Sequence, residues 1–595
     1  NFKMKLIQLI TTSNEELADN AKIIYLGNWC KENSYIIKNE TVVPYHWDDR
    51  KKIEIDNEYL DKLYEKLLSS LCKTLNKANK RNNSKEYWRI IIGYWLFYYL
   101  SVSFERWENI SAALSKYPNI NFYNLINVKN EPISNTTVEF MKLTSSTTWN
   151  HLIYSKIINF LKKENKLEIR FKTKEIYGDN FYYGYKKNLF HKVKIFLMIK
   201  YMRVLKKKIE KNKIVFFKTY LGLFNELVLN LKFKQLPLFI SNKDFEKKIN
   251  FLLRSKLDLD YRANNLFEKF IIENIFKNIP LEFLENYNLI GDHIEKLNLP
   301  IKPLLIISTR SLSSDNIFVR YLAEKKETGT KVFYGQHGGA YGQIKFSWAE
   351  DHEIKISDNY LTWGWKKENQ NKIIPMFVLK NINNLKFKKK NEIKKICYFV
   401  RSRSKFTGRI DSSTGSNQMA KYYDNCLRFY YNFIKKVNDI TIIPRFHEAE
   451  FEWNHRNIWK NHNIKKFSFT DVESLEKVYK NYELLIYSYI GTGFLESLAL
   501  DKPFILIGSI DEWPLRDEAI EDFEELKIAN IYFENEDEAI EHLKKISKNI
   551  NGWWNDFKVE KIKNKFRNKY AIKNSNNLKI KKIYNLIKNT VSHEI

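Results

Sequence analysis

The chain has 595 residues, too many for one hydrophobic core, and its 44% hydrophobic and 15% aromatic content excludes global disorder. Its formal charge of +30 is spread along the whole length, with local clusters such as Lys206–Lys208 and Lys388–Lys390. No helix-turn-helix, zinc-finger or RNP pattern accompanies that charge. The expectation is therefore compositional bias with peripheral attraction to an anionic membrane, and no nucleic-acid partner.

In chain order, the first elements are two short apolar strands, LIQLITT and Lys22–Cys30 (KIIYLGNWC), each ending in turn residues. Asn1–Lys3 precede Met4 and are set aside as a remnant, and no signal peptide is visible. An amphipathic helix follows over 57–75. The most apolar run, Arg89–Phe104, falls short of the ~20 residues of a bilayer span and reads as a buried core helix. Residues of about 150–300 are charged and read as helical, with KVKIFLMIKYMRVLKKKIEKNK as one long basic helix. From Lys302 the pattern becomes strand–helix–strand: Pro303–Arg310, a capped helix, then KVFYGQHGG. A basic stretch, Asn381–Lys395, reads as a linker. Beyond it lie strands at Lys395–Val400, Ile440–Phe446, Leu484–Ile490, Pro503–Gly508 and Ala529–Phe533, separated by helices. Such doubly wound α/β units bind ligands at the carboxyl ends of their strands.

The four cysteines, Cys30, Cys72, Cys397 and Cys426, are widely separated, which fits a reducing cytoplasm better than a disulfide scaffold or a zinc site. Chemistry-bearing residues gather at strand exits. QHGGAYG places His337 after a strand, flanked by Gln336 and Gly338, where an imidazole can take a proton from a hydroxyl. Gly491, Thr492 and Gly493 precede a helix bearing Glu496. Glycines at a helix start suit a phosphate, and the glutamate suits a ribose hydroxyl or a capping box. Arg445 and His447 are two apart on one strand and would point the same way, toward a departing phosphate. Arg401 and Arg403 lie in the basic loop Val400–Arg409, which would close on charged donor groups. PYHWDDR gathers His46, Asp48, Asp49 and Arg50 in one aromatic loop, and TTWNH adds Trp149 and His151. These read as acceptor-binding groups, with Asp48 and Asp49 as candidate bases. Arg89 and Arg106 read equally as a buried ion-pair network. Glu350, His352 and Glu353 lie close together, but their spacing does not fit a helical zinc motif.

Taken in order, LITT, YLGNWC, PYHWDDR, YWRIIIGYW, FERW, TWNH, QHGGAYG, HEIKISDNYLTWGW and GTGFLESLALDKP resemble a family of bacterial O-antigen and surface-polysaccharide transferases. The C-terminal half is distantly similar to GT-B transferases of CMP-activated acidic sugars such as Kdo or nonulosonic acids. Arg445 and His447 match that group's basic residue and histidine, but Glu448 stands where those enzymes have proline. Thr492 and Glu496 match its small-residue loop and following glutamate.

The resemblance implies a metal-independent glycosyltransferase with no cofactor beyond a nucleotide-sugar co-substrate. It would act in the cytoplasm, at the inner face of the membrane, on a glycan or lipid-linked acceptor. The expected fold is α/β and GT-B-like, with two Rossmann-type doubly wound domains. Residues 1–385 would form an acceptor-side domain with a helical insertion at about 150–300, and 390–550 the nucleotide-sugar domain. Residues 551–595 would be helices packing back on the first domain. A polyol-phosphate transferase and a non-catalytic glycan-binding or assembly protein are the alternatives.

Overall fold

The computed structural model describes residues 6–591 except 39, 130, 166–167, 178–196, 199, 241–242, 244, 383–384, 386, 465–466 and 470–472. Three wholly parallel sheets follow one another along the chain. The first contains β1 (Ile7–Ile10), β2 (Lys22–Tyr25), β3 (Thr41–Val42), β4 (Phe122–Lys129) and β5 (Arg170–Tyr177), in the order β3-β2-β1-β4-β5. The second contains β6 (Ile214–Phe217), β7 (Leu305–Ser308), β8 (Lys331–Gly335), β9 (Asn359–Thr362) and β10 (Ile373–Pro375), each strand beside its predecessor. The third contains β11 (Lys395–Phe399), β12 (Thr441–Phe446), β13 (Ser468–Phe469), β14 (Leu484–Tyr487), β15 (Phe504–Ile507) and β16 (Tyr532–Phe533). Its order, β13-β12-β11-β14-β15-β16, is that of a Rossmann dinucleotide-binding sheet.

The second and third sheets are the two α/β cores expected from the sequence. The first sheet is an additional parallel core, so the span 1–385 holds two sheets rather than one. The insertion expected at about 150–300 is not wholly helical, because β5 and β6 lie in or beside it. Part of the long basic helix lies outside the described residues. The described part breaks at Leu205, resumes only as Lys206–Ile209 and gives way to β6. Ile214–Phe217 is fully buried, and an apolar run of four in a lysine-rich setting is too short for periodicity to separate from helix.

The helix Lys85–Lys116 is buried on nearly every side, as its apolar run predicts. Phe97 stacks on Trp348 beside the second sheet (4.3 Å between centroids). Arg106 donates to Thr407 O (2.5 Å) beside the third. The arginine network is present: Arg89 reaches both Glu65 oxygens (2.6 and 2.9 Å), and fully buried Arg106 pairs with Glu105 (2.8 Å). Among the described residues no helix is long and apolar enough to cross a membrane.

Two further connections join the second and third sheets. Residues 343–347 run beside 411–412 and 514–516, with antiparallel bridges Ile344–Leu515 and Ser347–Asp411. The chain then returns after the third sheet: Ile572 N donates to Trp363 O (3.0 Å), and Lys579 Nζ to Val378 O (2.7 Å).

Candidate active site

QHGGAYG leaves the carboxyl end of β8 through three glycines with positive φ: Gly338 (138°), Gly339 (76°) and Gly342 (76°). The loop meets the third sheet directly, because Gly339 N–H donates to Thr492 Oγ1 at 2.6 Å. A Cβ on Gly338 would overlap the Thr492 side chain, so this approach needs glycine. Thr492 opens the helix Thr492–Leu500 behind an N-cap glycine, Gly491, with no side-chain cap. The first amides of that helix therefore have no side-chain capping acceptor, as in helix starts that receive phosphates. Gly493 packs against Tyr487, holding the helix start close to β14.

His337 lies edge-on to Tyr341 (5.4 Å), with Nδ1 3.5 Å from Glu353 Oε1. Burial, with Arg409 and Arg310 nearby, pushes its pKa down to about 4, so the ring is neutral at neutral pH. Glu353 is buried beneath three tyrosine hydroxyls, from Tyr360 (3.0 Å), Tyr94 (3.3 Å) and Tyr341 (3.4 Å). Burial drives its carboxyl well above the usual range.

The loop after β11 supplies the cations. Arg403 grips Asp411 (2.6 Å), Arg401 donates to Ser413 Oγ (2.9 Å), and Arg409 Nε lies 3.8 Å from Asp411. Burial raises Asp411, but the three guanidinium groups outweigh it and hold the carboxyl well below the usual range. Burial and Arg403 lower Arg401 to about 10. Beside this loop, a cavity of about 540 Å³ opens at the carboxyl ends of β14–β16, lined by Tyr422, Arg428, Ser488, Gly508, Glu512 and Glu536, among others. Burial raises Glu512 to about 7.

Several residues expected at the site stand elsewhere. Asp49 caps the helix Arg50–Asn79, accepting from Lys51 N (2.9 Å) and Lys52 N (3.3 Å). Asp48 makes an exposed ion pair with Lys421 (2.9 Å). Neither bonds His337, so the two are not placed as bases. Arg50 donates to Ser412 O across the domain boundary. His46, Asp56 and Glu108 form a metal-like cluster, but Lys52 Nζ already sits 2.9 Å from both carboxylates. Its ammonium fills the place of a cation, and burial pushes His46 well down.

Gln336 turns inward: its side-chain oxygen accepts from Trp363 N (3.0 Å) and Trp365 Nε1 (2.9 Å). Trp149 packs in the core against Phe140 (6.1 Å). His151 lies on the helix Thr147–Asn165 against the first sheet, with Nε2 2.7 Å from Asn124 O of β4. Arg445 is buried and donates to Ser468 Oγ (3.1 Å) and Glu473 O (2.6 Å). Exposed His447 lies past the end of β12, so the two do not converge as a pair. Glu496, 1% exposed, pairs with Lys380 (2.7 Å) instead of closing a capping box.

Sequence reasoning weighed Glu353 only as a metal ligand, and it left Arg409 unassigned at the end of its basic loop. Glu350 was missed as a fastener. Its two oxygens accept from Gly342 N (2.9 Å) and Arg516 Nη2 (2.6 Å), tying the His337 loop to the third-sheet domain.

Among solved structures, the chain is similar to a Thermobaculum terrenum O-GlcNAc transferase mutant (8% identity, 90% of this chain and 98% of that one, TM-score 0.33). It is also similar to S. aureus TarM (12% identity, 78% and 99%, TM-score 0.33) and to the spinosyn rhamnosyltransferase SpnG (9% identity, 52% and 77%, TM-score 0.27). A comparison with curated proteins finds no match. Residues 7–583 match the profile of the LIC12162 family transferases, and the chain belongs to that family.

Proposed function

We propose that this transferase is a metal-independent GT-B glycosyltransferase, moving a sugar from a nucleotide donor to a hydroxyl of a surface glycan or lipid-linked acceptor. The Gly339–Thr492 contact carries the reading, because it brings a neutral histidine from one sheet to the open helix start of a nucleotide-type sheet.

The nucleoside occupies the cavity at β14–β16, where Glu512 and Glu536 accept its hydroxyls. Its phosphate meets the Gly491–Gly493 amides, with Arg401, Arg403 and Arg409 neutralising the charge that develops as the sugar leaves. His337, neutral at working pH, takes the acceptor proton, with the buried Glu353 carboxyl 3.5 Å from its Nδ1. A CMP-activated acidic sugar is the donor favoured by the motif resemblance, and the arginines suit its carboxylate as well as its phosphate. The +30 charge supports work at the cytoplasmic face of an anionic membrane. The same three arginines also favour a second reading, polyol-phosphate transfer, in which the phosphate moves with the transferred group.

A thermal-shift screen of CMP, CDP, UDP, GDP and dTDP, with and without chelator, tests the donor site. At least one nucleotide should raise the melting temperature of both wild type and His337→Ala. The variant should lose roughly 10²–10⁴-fold in transfer rate with that donor. Product mass separates sugar transfer from polyol-phosphate transfer. A wild-type rate in His337→Ala refutes the assignment. If no nucleotide shifts the melting temperature, a non-catalytic glycan-binding scaffold is left.

A further inference from the structure

The helix Leu223–Lys232, which follows β6, is inverted relative to an ordinary surface helix. Its buried positions are Asn225, Leu229 and Asn230, while Leu223 (80%), Phe224 (68%), Leu227 (44%) and Leu231 (63%) are exposed. At ~100° per residue those four fall within an arc of about 100°, so they form one continuous apolar stripe. The inward side is held by amides: Asn225 Nδ2 donates to Leu221 O (2.8 Å), Asn230 Nδ2 to Glu226 O (2.8 Å) and Gln235 Nε2 to Asn230 Oδ1 (2.9 Å). No other helix among the described residues exposes four large apolar side chains. Single exposed apolar residues are ordinary, but a grouped stripe marks a surface that meets something.

The stripe is edged with positive charge. Residues 203–234 carry nine lysines and arginines against two glutamates, and both glutamates are engaged: Glu210 lies 3.7 Å from Lys206, and Glu226 accepts from Thr219 Oγ1 (2.5 Å). Lys232 and Lys234 are exposed at the end of the helix. There Gln235 bonds both the N–H and the carbonyl of Ile214 (3.1 and 2.6 Å), and Asn212 Nδ2 donates to Leu236 O (2.7 Å), which brings the exposed Lys211 and Lys213 alongside. The other end of the helix leads back to the cleft. Thr309 Oγ1 donates to Lys218 O (2.5 Å) and Arg310 Nη1 to Tyr220 OH (3.2 Å), and Arg310 is one of the cations near His337.

We infer that this helix seats the protein on an anionic lipid bilayer. Its apolar stripe enters the boundary between headgroups and acyl chains, and Lys211, Lys213, Lys232 and Lys234 meet lipid phosphate. A stripe bordered by lysines matches that surface in both polarity and charge. A second copy of this chain on the same face would set those lysines against their own kind. The stripe starts on the side of the second sheet from which the His337 loop emerges, so a lipid-linked acceptor in the bilayer is presented to that cleft. This inference rests on the proposed function for its purpose only. Vesicle binding needs no donor, so docking and transfer fail independently.

The test is co-sedimentation of the full chain with vesicles of pure phosphatidylcholine and of a phosphatidylcholine–phosphatidylglycerol mixture, at low and high salt. Wild type should bind the mixed vesicles roughly tenfold or more tightly than the neutral ones, and less tightly as salt rises. Phe224→Ser with Leu227→Ser, at exposed positions, should weaken binding by roughly tenfold or more. Lys232→Gln with Lys234→Gln should weaken it about fivefold for each charge removed. Phe557→Ser, at an exposed apolar residue of a different helix, should bind like wild type. The inference is overturned if wild type does not bind the mixed vesicles, if either double variant binds like wild type, or if Phe557→Ser weakens binding as much as Phe224→Ser with Leu227→Ser. It is equally overturned if sedimentation velocity without lipid shows a dimer that Phe224→Ser with Leu227→Ser dissociates, since the stripe is then an interface between copies.

Discussion

Replacing Gly338 by alanine should open the junction between the two facing loops. At φ 138° the backbone is in a region essentially reserved for glycine, and a Cβ there is strained by ~1–3 kcal/mol. That Cβ also overlaps Thr492, and forcing the loops apart adds ~1–3 kcal/mol. Separation breaks the Gly339–Thr492 hydrogen bond, worth about 1 kcal/mol more. A total of about 3 kcal/mol or more corresponds to roughly hundredfold easier local opening, since about 1.4 kcal/mol is tenfold. Hydrogen exchange read by mass spectrometry, on peptides spanning 333–346 and 488–500, measures that opening directly. Thr492→Ala alone should raise exchange about fivefold, through the lost bond. Because it also removes the overlap, the double variant should open less than the two single effects multiplied. Exchange in Gly338→Ala within twofold of wild type, or a strictly multiplicative double variant, would refute the direct contact.

Arg516→Ala leaves the fully buried Glu350 carboxylate with only the more distant Lys367 (4.0 Å) and should cost up to ~3–5 kcal/mol in urea unfolding, with Glu350→Gln in the same chain restoring much of it. If His337 is the proton acceptor, kcat/KM should stay level from pH 7 down to about pH 5 and fall as the ring protonates toward pH 4. His352 and His455 are pushed by burial down to about 3, against 6.5 when unfolded. Below pH 6.5 the unfolded chain binds protons that the folded chain refuses, so each histidine removes up to ~1.4 kcal/mol of stability per pH unit down to about pH 3. The slope of urea stability against pH between 6.5 and 4 should therefore be shallower in His455→Phe, and an unchanged slope would show that this histidine titrates freely. Carboxyls raised by burial act in the opposite sense. Glu282, raised to about 7, loses its contribution as pH climbs from 4.5 toward 7, so the comparison is made variant by variant.

Much of the third sheet was legible because its strands are continuous apolar runs closed by turn residues. QHGGAYG and GTGFLES were each legible as loops at the carboxyl ends of strands, and the direct contact between them is what the fold adds. What escaped was set by contacts through space. Asp48 and Asp49 look alike in sequence, yet one is a helix cap and the other a surface ion pair. The signal for the cap was present, since an aspartate directly before an amphipathic run is a standard N-cap, but the helix was expected to begin several residues later. Lys52 fills the His46–Asp56–Glu108 cluster, and nothing in PYHWDDR announces that. Arg445 sits where the motif puts it, but its guanidinium is already committed to Ser468 and Glu473. Glu353 lies under the His337 loop because β9 and the buried helix Lys85–Lys116 bring Tyr360 and Tyr94 to hold it there.

The return of the last helix bears on how the molecule is made. Lys579 closes on Val378 across 201 residues of sequence, after the whole third sheet has intervened. Contacts of such long range form late and slowly. During synthesis, the edge of the second sheet near β10 therefore waits, partly uncovered, until the third domain has been built and the chain has come back. In that interval the nascent protein depends on its own unfinished surface staying out of the wrong partnerships.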